Sequence, residues 1–241
     1  MKFSMRQTLV GAVTASLLLM FAMPLVSAPK TSRLQDATRH SREAAEVFTE
    51  IMNVRERAIP KELLDKAEAI AVFPDVIKAA FILGGKGGQG VISRRTRNGW
   101  SAPAFFNLSG GSFGAQIGAT KTDYVLLIMN EDGVNGLLKD KFEMGGEVGV
   151  AAGPVGREAA ASTNLTLDAG ILSYSRSKGA FIGAALKGAV ISPDNDLNEG
   201  AYDGKKAKEL LSGNSMTLSQ MPAGVRIFPR TLARYSPRAK D

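Results

Sequence analysis

The chain of 241 residues carries 30 Lys+Arg against 23 Asp+Glu, a formal net charge of +7, with one histidine, His40, and no cysteine. The missing cysteines exclude a disulfide scaffold, a zinc finger, an iron–sulfur site, thiol chemistry and a lipid-modified N-terminal Cys, and a lone histidine leaves almost no room for a His-based metal site or a His-dependent triad. Hydrophobic residues at 44% and charged residues at 22% are ordinary globular composition, whereas 26 glycines against 10 prolines are unusual and locate most of the fold.

Residues 1–28 begin with a short basic head, Lys2 and Arg6, run through an almost wholly apolar stretch from Leu9 to Val26, and end on Ser27-Ala28. This is the physical pattern of a secretory signal. The apolar stretch is also long enough for an uncleaved membrane anchor, and Pro29 directly after Val26-Ser27-Ala28 is a poor context for cleavage. Both readings put the bulk of the chain outside the cytoplasm, in a bacterial periplasm or secreted. Without this segment 213 residues remain at a net charge of +5, enough to bury roughly 70% of the unfolded surface in a single domain.

From Thr31 to Asn53 the apolar positions Leu34, Ala37, Ala44, Ala45, Phe48, Ile51 and Met52 recur at helical spacing. Lys30, Arg33, Arg39 and Arg42 make the first half basic, while Glu43, Glu46 and Glu50 make the second half acidic. Such a helix packs on a core with its charges solvated, or lies with its basic half on a membrane surface. Pro60 starts a second, short helix through Ala67. The period then changes: Ala69–Phe73 and Ala79–Leu83 predict strands, the glycines from 85 to 90 a turn, and Gly90–Arg95 a returning strand. Arg97-Asn98-Gly99 predicts a hairpin tip, since Asn-Gly accepts the positive φ of a tight turn.

Further strands are predicted at Phe105–Thr120, Tyr124–Met129, Glu147–Ala152, Leu165–Tyr174 and Ala180–Ile191. Internal glycines at 110, 111, 114, 118, 183 and 188 point to bulges and strong coiling. Val134–Lys141 and Asn198–Leu211 predict helices, and Met221–Tyr235 a C-terminal helix interrupted at Pro229. The order predicts an α+β fold, in which a strongly curved, mostly antiparallel sheet or partial barrel carries N-terminal and C-terminal helices.

Three motifs bear on chemistry. Gly85–Gly90 fits G-x-G-x-x-G, but Val91-Ile92-Ser93 continues as a strand where a dinucleotide fold needs a helix. Ser175–Lys178 fits the S-x-x-K of penicillin-recognising serine enzymes, but Gly179–Gly183 predicts a hairpin rather than the helix that chemistry uses, and no Lys-Thr-Gly exists in the chain. Asp194–Asn198 begins like a calcium loop, yet Glu199 stands where glycine is needed and Lys205 where the bidentate acid belongs, so Asp196 is expected to cap a helix instead. No catalytic residue, cofactor or metal is expected. The bases are more informative, because Arg94, Arg95 and Arg97 surround one turn and Arg176 and Lys178 another. Lys205, Lys206 and Lys208 share a helix, and Arg230, Arg234, Arg238 and Lys240 end the chain. With one Trp and no interleaving of aromatic and basic residues, nucleic acid is not the expected partner. An anionic membrane surface fits better, at roughly 1 kcal/mol per basic residue near it.

Eight segments in order strengthen this. They are Ile59-Pro60 with Leu63-Leu64, Ala69–Pro74, Gly84–Val91, Gly99–Ala104, Gly114–Gly118, Ala152–Gly156, Ser173–Gly179, and Asn198 with Tyr202-Asp203-Gly204. Together they resemble the SYLF domain family, which includes the yeast actin-patch proteins and secreted bacterial relatives. The resemblance runs from about Ile59 to Tyr235, and it implies a non-enzymatic lipid-binding module. Eukaryotic relatives bind phosphoinositides partly through a basic amphipathic N-terminal helix, and some bind actin. For an envelope protein the implied partner is an anionic phospholipid, with a protein partner in the envelope as the alternative. The candidate lipid-binding residues are Lys30, Arg33, Arg39, Arg42, Arg94, Arg95, Arg97, Arg176 and Lys178.

Overall fold

The computed structural model describes residues 30–54, 58–81, 83–112, 118–146, 148–156, 169–177, 179–184, 186–212 and 216–237. The predicted signal at 1–28 lies outside the described residues, as does Lys178. Two helices, α1 (Lys30–Asn53) and α2 (Lys61–Lys66), lead into strands β1 (Ala69–Phe81), β2 (Leu83–Thr96), β3 (Gly99–Trp100), β4 (Ala104–Ser112) and β5 (Gly118–Ile128). Helix α3 (Glu131–Leu137) is followed by β6 (Phe142–Glu143), β7 (Val150–Ala152), β8 (Ile171–Ser177), β9 (Ala180–Gly183) and β10 (Val190–Pro193). Helices α4 (Asn195–Ala201) and α5 (Ala207–Leu210), a 3₁₀ turn (Ala223–Arg226) and α6 (Ile227–Tyr235) complete the order. Among the described residues no helix is long and apolar enough to cross a membrane.

The fold class is α+β, with the sheet curled into a half-barrel. Its strand order is β6-β10-β4-β2-β1-β5-β8-β7, with β3 on β2 and β9 on β8, and among the described residues only the β7–β8 pair is parallel. Ala37, Ala44, Ala45, Phe48 and Ile51 form the buried stripe by which α1 lies across β1 and β2. That stripe follows the 3.6-residue period of an amphipathic helix. The strand segments Ala69–Phe73 and Val125–Ile128 are buried at every position, so the central sheet is covered on both faces.

The glycine run is where the structure corrects the predicted elements. Ala69–Phe73 and Ala79–Leu83 are not two strands before a glycine turn: β1 is continuous through Pro74, the chain reverses between Phe81 and Leu83, and Gly84–Gly90 lie inside β2. A register shift at Val72–Ile77 marks a bulge. There Pro74 offers no N–H to a ladder, and Asp75 takes a positive φ of 49°. The freed Asp75 N–H donates to Asp123 Oδ1 at 2.8 Å, so the bulge is closed by a side chain of β5. Two of the glycines make room for this crossing. A Cβ on Gly90 would sit 2.3 Å from the Phe73 ring, and one on Gly88 would sit 2.8 Å from Val76.

Other boundaries shift for local reasons. The predicted strand Phe105–Thr120 is divided between β4 and β5, and Ala180–Ile191 between β9 and β10. The helix predicted over Asn198–Leu211 breaks at Asp203 (φ 55°) and Gly204 (φ 86°). Asp194, not Asp196, caps α4, accepting from Leu197 N–H at 3.0 Å. Pro229 does not interrupt α6 because it occupies the first turn, where an N–H has no intrahelical acceptor. Asn198 pins α4 to β4, accepting from Phe105 N–H at 2.8 Å and donating to Phe105 O at 3.0 Å, while Tyr202 O–H donates to Pro103 O at 2.6 Å.

Gly90→Ala should destabilise the protein by about 1–3 kcal/mol in urea unfolding, because the new methyl overlaps Phe73. Gly85→Ala should cost nothing and add up to about 1 kcal/mol, since no atom lies within 4 Å of its Cβ position.

Candidate functional site

Helix α1 is the spine of the helical layer. Gly200 of α4 sits under the Arg33 stem, with Cβ and Cγ each 2.8 Å from where a Cβ on Gly200 would lie, and Gly224 sits under Thr38. Further along, the Phe48 and Tyr235 rings meet edge-on at 5.8 Å, and Tyr235 O–H reaches Asn53 Oδ1 at 3.3 Å. The chain from Gly224 to Tyr235 therefore runs alongside α1 in the same direction. The outer side of α1 carries a groove of about 600 Å³ whose described lining includes Leu34, Gln35, Thr38, Arg39, Arg42 and Glu46.

The predicted bases divide sharply. Arg39 is held on its own helix by Asp36 and Glu43, each at 3.3 Å. Arg94 donates to Glu131 at 2.7 Å, tying β2 to α3. Arg95 is half-buried and donates to Leu64 O (2.8 Å), Ala67 O (3.0 Å) and Ser236 Oγ (2.7 Å). Its guanidinium also lies 4.4 Å over the Trp100 ring, whose Nε1–H donates to Ser236 O at 3.2 Å. Burial lowers the Arg95 pKa. Arg176 donates to Asp123 Oδ2 at 2.8 Å and pairs with Glu50 of α1. Four of the predicted bases thus join elements of the fold or brace their own helix.

Arg42 and Arg97 are exposed, and with half-buried Arg33 they have no carboxylate partner among the described residues. Lys30 is the first residue of α1. Arg97 stands at the β2–β3 turn, where Gly99 has a φ of 109° as the Asn-Gly pair predicts. Arg230 and Arg234, one turn apart on α6, are also exposed, and α6 contains no acid. The solvent side of the helical layer thus carries Arg42, Arg230 and Arg234. Sequence reasoning noted the last two only as a basic tail, because their place beside α1 depends on Gly224 and Tyr235.

Ser175 lies within β8, paired with Tyr124 and Ile182, and not at a helix start. Among the described residues no group of His, Asp and Glu could hold a metal ion.

Residues 109–235 match the model of the Ysc84 family, described as a Las17-binding protein actin regulator. The chain belongs to this family. It is the SYLF family of the sequence motifs. The LAS seventeen-binding protein 3 of Saccharomyces cerevisiae is 33% identical over 187 residues, which is 76% of this chain and 40% of the yeast protein. SH3 domain-containing YSC84-like protein 1 is 29% identical over 233 residues in Rattus norvegicus, covering 88% of this chain and 68% of the relative. In Homo sapiens it is 30% identical over 192 residues, covering 78% and 56%. The chain spans about 40% of the length of the yeast relative. These relatives are named for binding partners and SH3 domains, not for enzymes.

Two measurements separate structural from surface bases. Arg95→Ala should lower stability by about 3 kcal/mol, through lost charged hydrogen bonds and the contact with Trp100, whereas Arg97→Ala should leave the urea midpoint unchanged. His40 is buried, and burial together with the Arg39 charge holds its pKa below the ordinary 6.5, against weaker opposing fields from Glu43, Asp36 and Asp194. A histidine depressed in the folded state stabilises fully above its unfolded pKa, and that stability is lost as pH falls through 6.5 towards the folded value. The melting temperature should therefore fall from pH 7.5 to 5.5, and His40→Gln should flatten this part of the profile.

Proposed function

We infer that this chain is a non-enzymatic, extracytoplasmic domain that attaches to anionic phospholipid through basic surface clusters. Residues 1–28 act as its export signal or as an uncleaved inner-membrane anchor, and the remainder works as one module in the periplasm or after secretion. The observation that carries the reading is the sorting of the bases. Once Arg39, Arg94, Arg95 and Arg176 are satisfied internally, Arg42, Arg97, Arg230 and Arg234 remain pointing into solvent without carboxylate partners among the described residues. Four such charges supply roughly 1 kcal/mol each at an anionic surface, enough for weak and reversible attachment.

Sedimentation with vesicles of phosphatidylcholine, and of phosphatidylcholine mixed with phosphatidylglycerol, tests it. The chain from residue 29 to 241 should pellet only with the anionic mixture. Raising salt towards 1 M, where the screening length is about 3 Å, should release it. Replacing Arg42, Arg230 and Arg234 together by Gln should weaken binding by about a hundred-fold. Salt-independent pelleting would refute attachment by surface charge. A second reading is favoured by the names of the relatives, which bind Las17 or carry SH3 domains: the same faces dock a protein of the envelope. Cross-linking to one protein, without vesicle binding, would select it.

A further inference from the structure

His40 is the only histidine of the chain, and α1 buries it against the sheet. Its ring lies by Phe105 of β4, with centroids 6.4 Å apart, and Phe105 in turn stacks on Tyr202 at 6.2 Å. Both ring nitrogens face side chains of α1. Nε2 stands 3.2 Å from Arg39 Nη2, and Nδ1 stands 3.5 Å from Glu43 Oε2. A guanidinium has donors only, so Nε2 accepts from it, and the proton of the neutral ring sits on Nδ1, facing Glu43. A second proton has only Nε2 to go to. There it would set one N–H against another and bring two cations within 3.2 Å.

The surrounding carboxylates do not offset this. Asp36 and Glu43 each lie 3.3 Å from Arg39, which already takes up their charge. Beyond α1, Asp194 bears on the ring, but its oxygens accept from Leu197 N–H at 3.0 Å and from Gln89 Nε2 at 3.1 Å. Burial and the Arg39 charge outweigh all three acids and lower the His40 pKa.

Helix α1 is not held equally along its length. Its second half is tied down by Glu50 on Arg176, by the Phe48–Tyr235 ring contact at 5.8 Å, and by Tyr235 O–H on Asn53 Oδ1 at 3.3 Å. The first half meets α4 and the 3₁₀ turn through close approaches, with Gly200 beneath Arg33 and Gly224 beneath Thr38. The ion pairs of Arg39 stay within the helix, so lifting its first half breaks neither of them.

We propose that His40 is an acid-sensitive latch: its protonation at Nε2 lifts the first half of α1 from β4 and α4 while the second half stays on the sheet, uncovering the Phe105–Tyr202 stack. The latch goes beyond membrane attachment and stands without it. In the lifted form His40 enters water and regains an ordinary pKa near 6.5, so that form binds the proton more tightly. Its population therefore grows as pH falls below about 6.5, by up to about ten-fold between pH 7.5 and 5.5. This window lies above the ordinary carboxylate range, so histidine is the side chain that titrates in it.

Amide hydrogen exchange of the chain from residue 29 to 241, with each rate divided by the intrinsic rate at that pH, tests the latch. Amides from Leu34 to Arg42 should lose up to about ten-fold in protection from pH 7.5 to 5.5, while those from Phe48 to Ile51 keep theirs. His40→Gln, whose side-chain oxygen still accepts from Arg39, should remove the pH dependence of the first half. Arg39→Met should shrink it, because the cation facing Nε2 is gone. Equal loss of protection in both halves would mean global unfolding in acid and would overturn the latch, as would protection unchanged across this range. If His40→Gln keeps the pH dependence of the parent, another group carries the effect and the assignment to His40 falls. Where His40→Gln lifts the helix at every pH, Arg39→Met carries the test, and an undiminished pH response in it refutes the latch.

Discussion

Asp123 is the joint on which the sheet and the helical layer both depend. One carboxylate oxygen accepts the Asp75 N–H that the β1 bulge releases, and the other accepts from Arg176, which in turn pairs with Glu50 on α1. A 13-residue strand that changes register midway releases that amide from the ladder, and Asp123 gives it a protein acceptor in place of water. Because Asp123 and Arg176 are cross-strand partners on β5 and β8, the same contact sets the register of that edge of the sheet. The bulge, the strand pairing and the seat of the helix are consequently one linked arrangement, from which a single residue cannot be removed in isolation.

This linkage explains why charge clusters alone do not define a binding surface here. Arg95 joins α2, the β2–β3 turn and the end of α6 through Leu64, Trp100 and Ser236, and Arg94 joins β2 to α3. Both look in sequence like exposed turn residues beside Arg97. What separates them is partner geometry: the planar guanidinium reaches several carbonyls at once where the backbone supplies them, and extends into water where it does not. The bases left for an external ligand are those that no element of the fold needs.

Much of the architecture follows from local rules that the chain states openly. The 3.6 period of α1, the Pro60 start of α2, the Asn98-Gly99 turn and the curvature implied by strand glycines all appear where patterning places them. The glycine run misleads for a physical reason. Glycine marks turns by its freedom in φ, but Gly88 and Gly90 are required by proximity, since Val76 and Phe73 occupy the space a side chain would fill. Nothing local distinguishes the two uses, because the neighbour that decides comes from another strand. The same holds for Lys78 and Lys86, which are eight residues apart in the chain and become partners only through the register of β1 on β2.

Not every glycine in this sheet is accounted for by packing. Gly85 and Gly111 are in register on β2 and β4, and a Cβ on either would meet nothing within 4 Å. Glycine in a strand costs about 0.5–1 kcal/mol relative to alanine, so these positions carry a penalty without a compensating contact. One row away, Lys78 opposes Lys86 with a further electrostatic penalty. Close packing explains Gly90 and Gly153, whose neighbours are the Phe73 and Tyr174 rings, but it explains neither of these features. Departures from local optimality gather at functional surfaces rather than scattering through a fold. Two different kinds of departure on the same four strands, at the end of the sheet farthest from α2, make that end the part of the molecule whose sequence answers to something other than its own stability.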